Sequence, residues 1–94
     1  MTRQVKVPGR IYPGMFPGEV QVEITPPGEE PIFLFASDRF ASSGTPITSD
    51  GVLGTVLARV FQDIGDKLIV DLPGEALQRG PRVYLNKTFV RSAD

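Results

Sequence analysis

The sequence predicts an all-β fold, a small barrel built from two related three-strand halves. Three observations carry that expectation. Short apolar runs of strand length recur along the 94 residues, most clearly at Glu19 to Thr25 and Lys67 to Leu72. Nine Pro and ten Gly fall between those runs and not in one tract, which suits short strands joined by tight turns. The order of blocks in the first half also recurs in the second. A chain of this length supports one compact domain over 1–94, with a modest core drawn from the 40% of residues that are apolar.

The recurrence is read block by block. Val20-Gln21-Val22-Glu23-Ile24 matches Leu68-Ile69-Val70-Asp71-Leu72, Pro27-Gly28-Glu29 matches Pro73-Gly74-Glu75, and Ile32-Phe33-Leu34-Phe35 matches Arg82-Val83-Tyr84-Leu85. Upstream, Arg10-Ile11-Tyr12 matches Arg59-Val60-Phe61, and downstream Phe40 and Ser42 match Val90 and Ser92. The register drifts between blocks, as in a degenerate repeat of roughly fifty residues with loop insertions. Its halves span 5–42 and 54–92 with a linker at 43–53, and each supplies three strands and a short terminal one. Coincidence between two β-rich halves that share Pro and Gly turns is the competing reading.

In chain order, Val5 to Tyr12 forms a first, broken strand, with Pro8 implying an edge or a bulge because proline cannot donate to a ladder. Pro13 to Gly18 makes two Pro-Gly turns around Met15 and Phe16, which either fold back as a plug over the barrel end or offer a contact surface. In the next strand Val20, Val22 and Ile24 face in, and Gln21, Glu23 and Thr25 face out. Pro26 to Pro31 is a turn that excludes helix. Ile32 to Phe35 is continuously apolar, as in a strand covered on both faces or one with an interface outside. Ser37-Asp38-Arg39 is a single turn that carries Phe40 back to the core.

The stretch from Ala41 to Gly51 is small, polar and rich in Gly and Pro, hence a linker. From Val52 to Ile64 two readings compete. On a helical wheel Val52, Leu53, Val56, Leu57, Val60, Phe61 and Ile64 share one side, which gives a barrel with one helix at 52–64. As a strand, Val56, Ala58 and Val60 face in, and Gly54, Thr55 and three valines favour it. A hairpin lies within Asp66 to Val90, its strands Lys67 to Leu72 and Val83 to Leu85 joined by a polar loop from Pro73-Gly74 to Gly80-Pro81, and Asn86-Lys87-Thr88 makes another short turn before Phe89-Val90. Arg91 to Asp94 reads as a frayed tail.

Gly54-Thr55-Val56-Leu57-Ala58-Arg59-Val60 looks like an opening strand, Lys67 to Leu72 like a second and Arg82-Val83-Tyr84-Leu85 like a third. Asn86-Lys87-Thr88 with Phe89-Val90 looks like a single-turn closure. In this order the second half resembles the SH3-like small-barrel superfamily, and through the repeat the first half does so more faintly. The acidic loop and Trp groove of proline-binding SH3 domains have no counterpart here. Under the helix alternative, Ile64-Gly65-Asp66-Lys67-Leu68-Ile69-Val70 resembles swapped-hairpin DNA-binding barrels.

Chemistry is narrowed by what is missing. The chain has no His and no Cys, so the usual neutral-pH base, thiolate ligands and disulfides are absent. No GxGxxG or GxxxxGK phosphate cradle occurs. Glu29-Glu30 and the pair Asp63 and Asp66 read as turn carboxylates before they read as a catalytic pair. Asp63, Asp66 and Asp71 lack the spacing of a calcium loop. No catalytic residue, metal site or cofactor is therefore expected, and the chain is read as a non-enzyme.

Ten basic and eleven acidic residues give a net charge of −1, too little to draw the whole chain to nucleic acid or an anionic membrane. No run approaches the twenty or so apolar residues of a membrane span, and no signal-peptide core follows Met1. A soluble cytoplasmic protein is expected. The expected function is binding or scaffolding through protein contacts, by a partner or by self-association. Its candidate interface is Met15, Phe16, Ile32, Phe33, Leu34 and Phe35, where a strand could add to an edge. The alternative is nucleic-acid binding through a C-terminal basic and aromatic face, Arg79, Arg82, Tyr84, Lys87 and Arg91. Its bland counterpart is a solvated strand face whose charges pair with Glu23 or Asp71.

Overall fold

The computed structural model describes residues 3–76 and 82–93. It is an all-β structure whose single sheet curls into a half-barrel. The strands are β1 (Gln4–Pro13), β2 (Glu19–Ile24), β3 (Ile32–Ser37), β4 (Ala41–Ser43), β5 (Val52–Asp63), β6 (Lys67–Asp71), β7 (Glu75–Ala76), β8 (Arg82–Asn86) and β9 (Arg91–Ser92). They run across the sheet as β7-β3-β2-β1-β5-β6-β8, with β4 added to β5 and β9 added to β1. No helix among the described residues is long and apolar enough to cross a membrane.

The stretch from Val52 is a strand and not a helix. β5 pairs antiparallel with β1 from Gln4↔Arg59 to Ile11↔Val52, while its other flank takes β4 at Gly54 to Val56 and β6 from Arg59 to Asp63. Two paired flanks satisfy its main-chain groups, and its β-branched residues suit the pleat. Val56 and Ala58 are buried, as a period of two requires, and Val60 packs against the core from a half-buried position.

β1 is continuous through Pro8. On the flank of β1 away from β5, β9 pairs with Val5 and Lys6, and β2 begins only at Arg10. The ladder on that flank needs no donor from Pro8, so a proline is tolerated in the middle of the sheet. Arg91 and Ser92, expected as frayed tail, form β9 on the other part of this flank. Ala41 to Ser43, expected as linker or its margin, forms β4 for the corresponding reason on β5. Gly54 lies where β4 approaches, and a Cβ there would overlap the Ser42 carbonyl oxygen.

Val5, Val7 and Ile11 of β1, Val20, Val22 and Ile24 of β2, Ile32, Leu34 and Ala36 of β3, Leu68, Val70 and Leu72 at β6, and Val83 and Leu85 of β8 form the core. The alternation read for Glu19 to Thr25 is the one observed. In the sequence match Ile32 faces Arg82, yet Ile32 is buried and Arg82 exposed; a one-residue shift of register in either direction brings the buried positions of the two strands into line. Asp38–Phe40 is a single 3-10 turn, but Phe40 stays half-buried outside the core, with the Arg39 guanidinium 4.9 Å from its ring centre.

β7 was not legible in the chain. After β6 the Pro73-Gly74 turn carries Glu75–Ala76 across to β3, where they pair with Phe35 and Leu34. That crossing joins the β6 end to the opposite margin of the sheet and curls it. Of Ile32 to Phe35, β2 lines one flank throughout and β7 covers Leu34 and Phe35 on the other, so those two residues are no open edge for strand addition. Gly74 permits the approach, because its φ is 81° and a Cβ would overlap the Phe35 carbonyl oxygen. Gly74→Ala should cost about 2–3 kcal/mol in urea unfolding. Gly28→Ala, with φ 75° but open space around it, should cost only about 1 kcal/mol.

Candidate binding face

The outer face of β5, β6 and β8 brings aromatic and cationic side chains together outside the core. A register shift between Val60 and Gln62 marks a bulge in β5 at Phe61. The Phe61 side chain stands on the outer face, half-exposed at 52%. On β6, Ile69 points to the same side, with Gln62 and Tyr84 as its cross-strand neighbours. Ile69 is only 7% exposed yet lies outside the core cluster, so this face has a small buried centre of its own. Tyr84, 57% exposed, and Arg82 complete the face from β8.

Asp71 organises the charges. It sits opposite both Arg59 and Arg82 in the ladder. Arg82 Nε donates to Asp71 Oδ1 at 2.8 Å and Arg82 Nη2 to Oδ2 at 3.4 Å, a forked pair, while Arg59 Nη2 donates to Oδ2 at 3.4 Å. The Arg82 guanidinium carbon lies 3.6 Å from the Phe61 ring centre, so one side chain is held by a carboxylate and a π-face together. The Arg82 hydrogen bonds hold the Asp71 carboxyl below its ordinary 3.8 against the opposing effect of burial, and the same bonds raise Arg82. Such a pair at a rim adds orientation more than stability.

Arg82 and Tyr84 thus share an exposed face, as the sequence suggested, and Asp71 is the carboxylate that pairs with it. Lys87 and Arg91 are not on this face; they line a cleft beside β9. Lys87 Nζ lies 2.7 Å from Asp63 Oδ1, and Arg3 reaches the other oxygen at 3.8 Å. Arg79 lies outside the described residues. Of the expected interface, Ile32 and Leu34 are core residues and are unavailable to a partner, because the strand alternates and they take the inward positions. Phe33 and Phe35 are half-buried on the outer side, and Met15 and Phe16 are exposed at 76% and 66%, so they form no plug.

Asp63 is engaged by cationic and main-chain donors. The Lys87 hydrogen bond, then the Gly65 N–H, hold Asp63 below its ordinary value, the wrong direction for a general acid. Among the described residues no three His, Cys, Asp or Glu side chains gather as a metal site would need. Asp63 and Asp71 are each turned to cationic side chains.

No protein-family model, no curated protein and no solved structure matches this chain.

Because the folded pKa of Asp71 is lowered, its stabilising contribution is present above the unfolded value and is lost as pH falls through the folded one. Urea midpoints followed from about pH 5 to about pH 2 should therefore fall, and Asp71→Asn should flatten part of that fall. An unchanged slope in the variant would separate acid stability from this pair.

Proposed function

We propose that this protein is a non-enzymatic binding module that acts through protein–protein contacts made by the Phe61, Ile69, Arg82 and Tyr84 face. The single observation that carries the reading is the stacked and forked Arg82 between Phe61 and Asp71, beside exposed Tyr84. Aromatic side chains and arginine dominate the energetic centres of protein interfaces, and an arginine already held in place loses little freedom on docking. Two exposed rings around a buried Ile69 also give the patch an apolar centre with a charged margin.

The reading includes a cytoplasmic protein of one compact unit, in two related halves of SH3-like character. The pairing pattern supports the halves. Each has one long strand, β1 or β5; these pair with each other, and each receives the short closing strand of the other half, β9 on β1 and β4 on β5.

One observation favours a second reading, nucleic-acid binding on the same face. Among the described residues Arg59, Lys67 and Arg82 stand there against Asp71, and both rings are open to stack on bases.

Affinity capture with the wild-type chain and with Phe61→Ser and Tyr84→Ser variants, each with and without nuclease, tests both. A protein partner held by wild type, lost from both variants and insensitive to nuclease is the expected result. Nuclease-sensitive capture, with salt-dependent binding of single-stranded RNA or DNA in direct titration, would select the second reading. Capture that is equal for all three proteins would remove the face from function.

A further inference from the structure

At the two ends of β1 the fold presents a knob and a cleft, and we infer that the knob of one copy seats in the cleft of the next. This contact is separate from the Phe61–Arg82–Tyr84 face and does not rest on it. The knob is the β1–β2 turn. Gly14 N donates to Glu19 O at 3.0 Å, Glu19 N to Phe16 O at 3.1 Å, and Met15 N to Glu19 Oε1 at 3.0 Å. Asp38 N adds a bond to Gly18 O at 2.8 Å, which ties the turn to the 3-10 segment. Four hydrogen bonds thus hold a six-residue tip whose two large apolar side chains, Met15 and Phe16, are among the most exposed in the structure. A preorganised apolar tip loses little entropy when it docks.

The cleft lies where β1 begins. Half-buried Leu57 and Val90 supply its apolar surface, over Val5 and Leu68 of the core, Arg3, Lys87 and Arg91 supply its charge, and its volume is about 670 Å³. Among the described residues Asp63 pairs with Lys87 and Arg3 at its margin, and Arg91 is the lining cation with no ion-pair partner. The knob has the opposite sign. Glu19 is built into it and exposed Asp38 is tied to it, while Arg39, the neighbouring cation, stacks on Phe40. Apolar tip to apolar lining, with acid against base around them, is the complementarity a second copy offers. The same acidic flank disfavours insertion of the tip into an anionic membrane.

The geometry also sets the symmetry. Knob and cleft sit at opposite ends of a ten-residue strand, about 30 Å apart at the usual strand rise. One patch meets a different patch, so a single contact leaves a free knob and a free cleft; the association continues head to tail as a chain or ring, or closes as an antiparallel pair that makes the contact twice.

Sedimentation velocity across a concentration series tests it. Wild-type mass should rise above one chain, and added salt should reverse the rise. Phe16→Ser, which removes the knob, and Leu57→Arg, which fills the cleft, should each weaken association at least tenfold and sediment as single chains. Mixed, they should form a species of two chains and no larger, because one intact knob and one intact cleft remain between them. That complementation also shows both variants to be folded; Val90→Arg replaces Leu57→Arg if the latter melts early. A wild-type protein that stays a single chain to millimolar concentration overturns the inference. So does Phe16→Ser assembling like wild type, or two single-chain variants that fail to complement. Tyr84→Ser should assemble as wild type does, which keeps this contact and the outer face experimentally distinct.

Discussion

The antiparallel pairing of β1 with β5 is the constraint on which the rest of the structure depends. Eight cross-strand pairs join them, from Gln4↔Arg59 to Ile11↔Val52. Neither strand is filled on its other flank by a single neighbour. β1 takes β2 at one end and β9 at the other; β5 takes β4 and β6. The short strands β4 and β9 are therefore a consequence of the length of β1 and β5, since a long strand with half a flank unpaired would leave main-chain groups unsatisfied. Pro8 is tolerated for the same reason, because it falls in the gap between two flanking partners.

That dependence explains what was legible in the residues and what was not. Glu19 to Thr25 alternates strictly, so its inward face could be read without the fold. Val52 to Ile64 could not be resolved alone, because Val52, Val56 and Val60 recur every four residues and serve either period. Partners on both flanks decide the matter, and these come from residues forty or more positions away in the case of β1. β7 left no mark because Glu75 and Ala76 are poor strand formers recruited by the Gly74 turn; only the overlap a Cβ would make with Phe35 reveals why glycine is there.

The outer face was half visible. Arg82 and Tyr84 stand two apart on a recognisable strand, so their common side follows from the pleat. Phe61 follows inward Val60, so strand parity alone puts it outside, but the competing helical wheel set it on the apolar side; the bulge shows only in Gln62, which parity would turn inward and the ladder turns out. Ile69 did leave a signal. Leu68-Ile69-Val70 is a run of three apolar residues, and an alternating strand with one wet face has no use for the middle one. Its burial away from the core marks a covered spot on the outside of the sheet.

Asp71 links this face back to the fold. Its backbone pairs with Arg59 on one side and Arg82 on the other, so the carboxylate spans β5, β6 and β8 at the point where the ladder passes the bulge. A carboxylate kept ionised between two guanidinium groups is unsuited to proton transfer, but it fixes the plane of Arg82 against Phe61. The arginine keeps its charge and presents the side of the guanidinium turned away from the ring. Fixed orientation with retained charge serves recognition, where a rigid donor set costs little entropy to dock, and it offers nothing to a reaction that must move a proton. That fixed geometry is what supports the binding role proposed for this face.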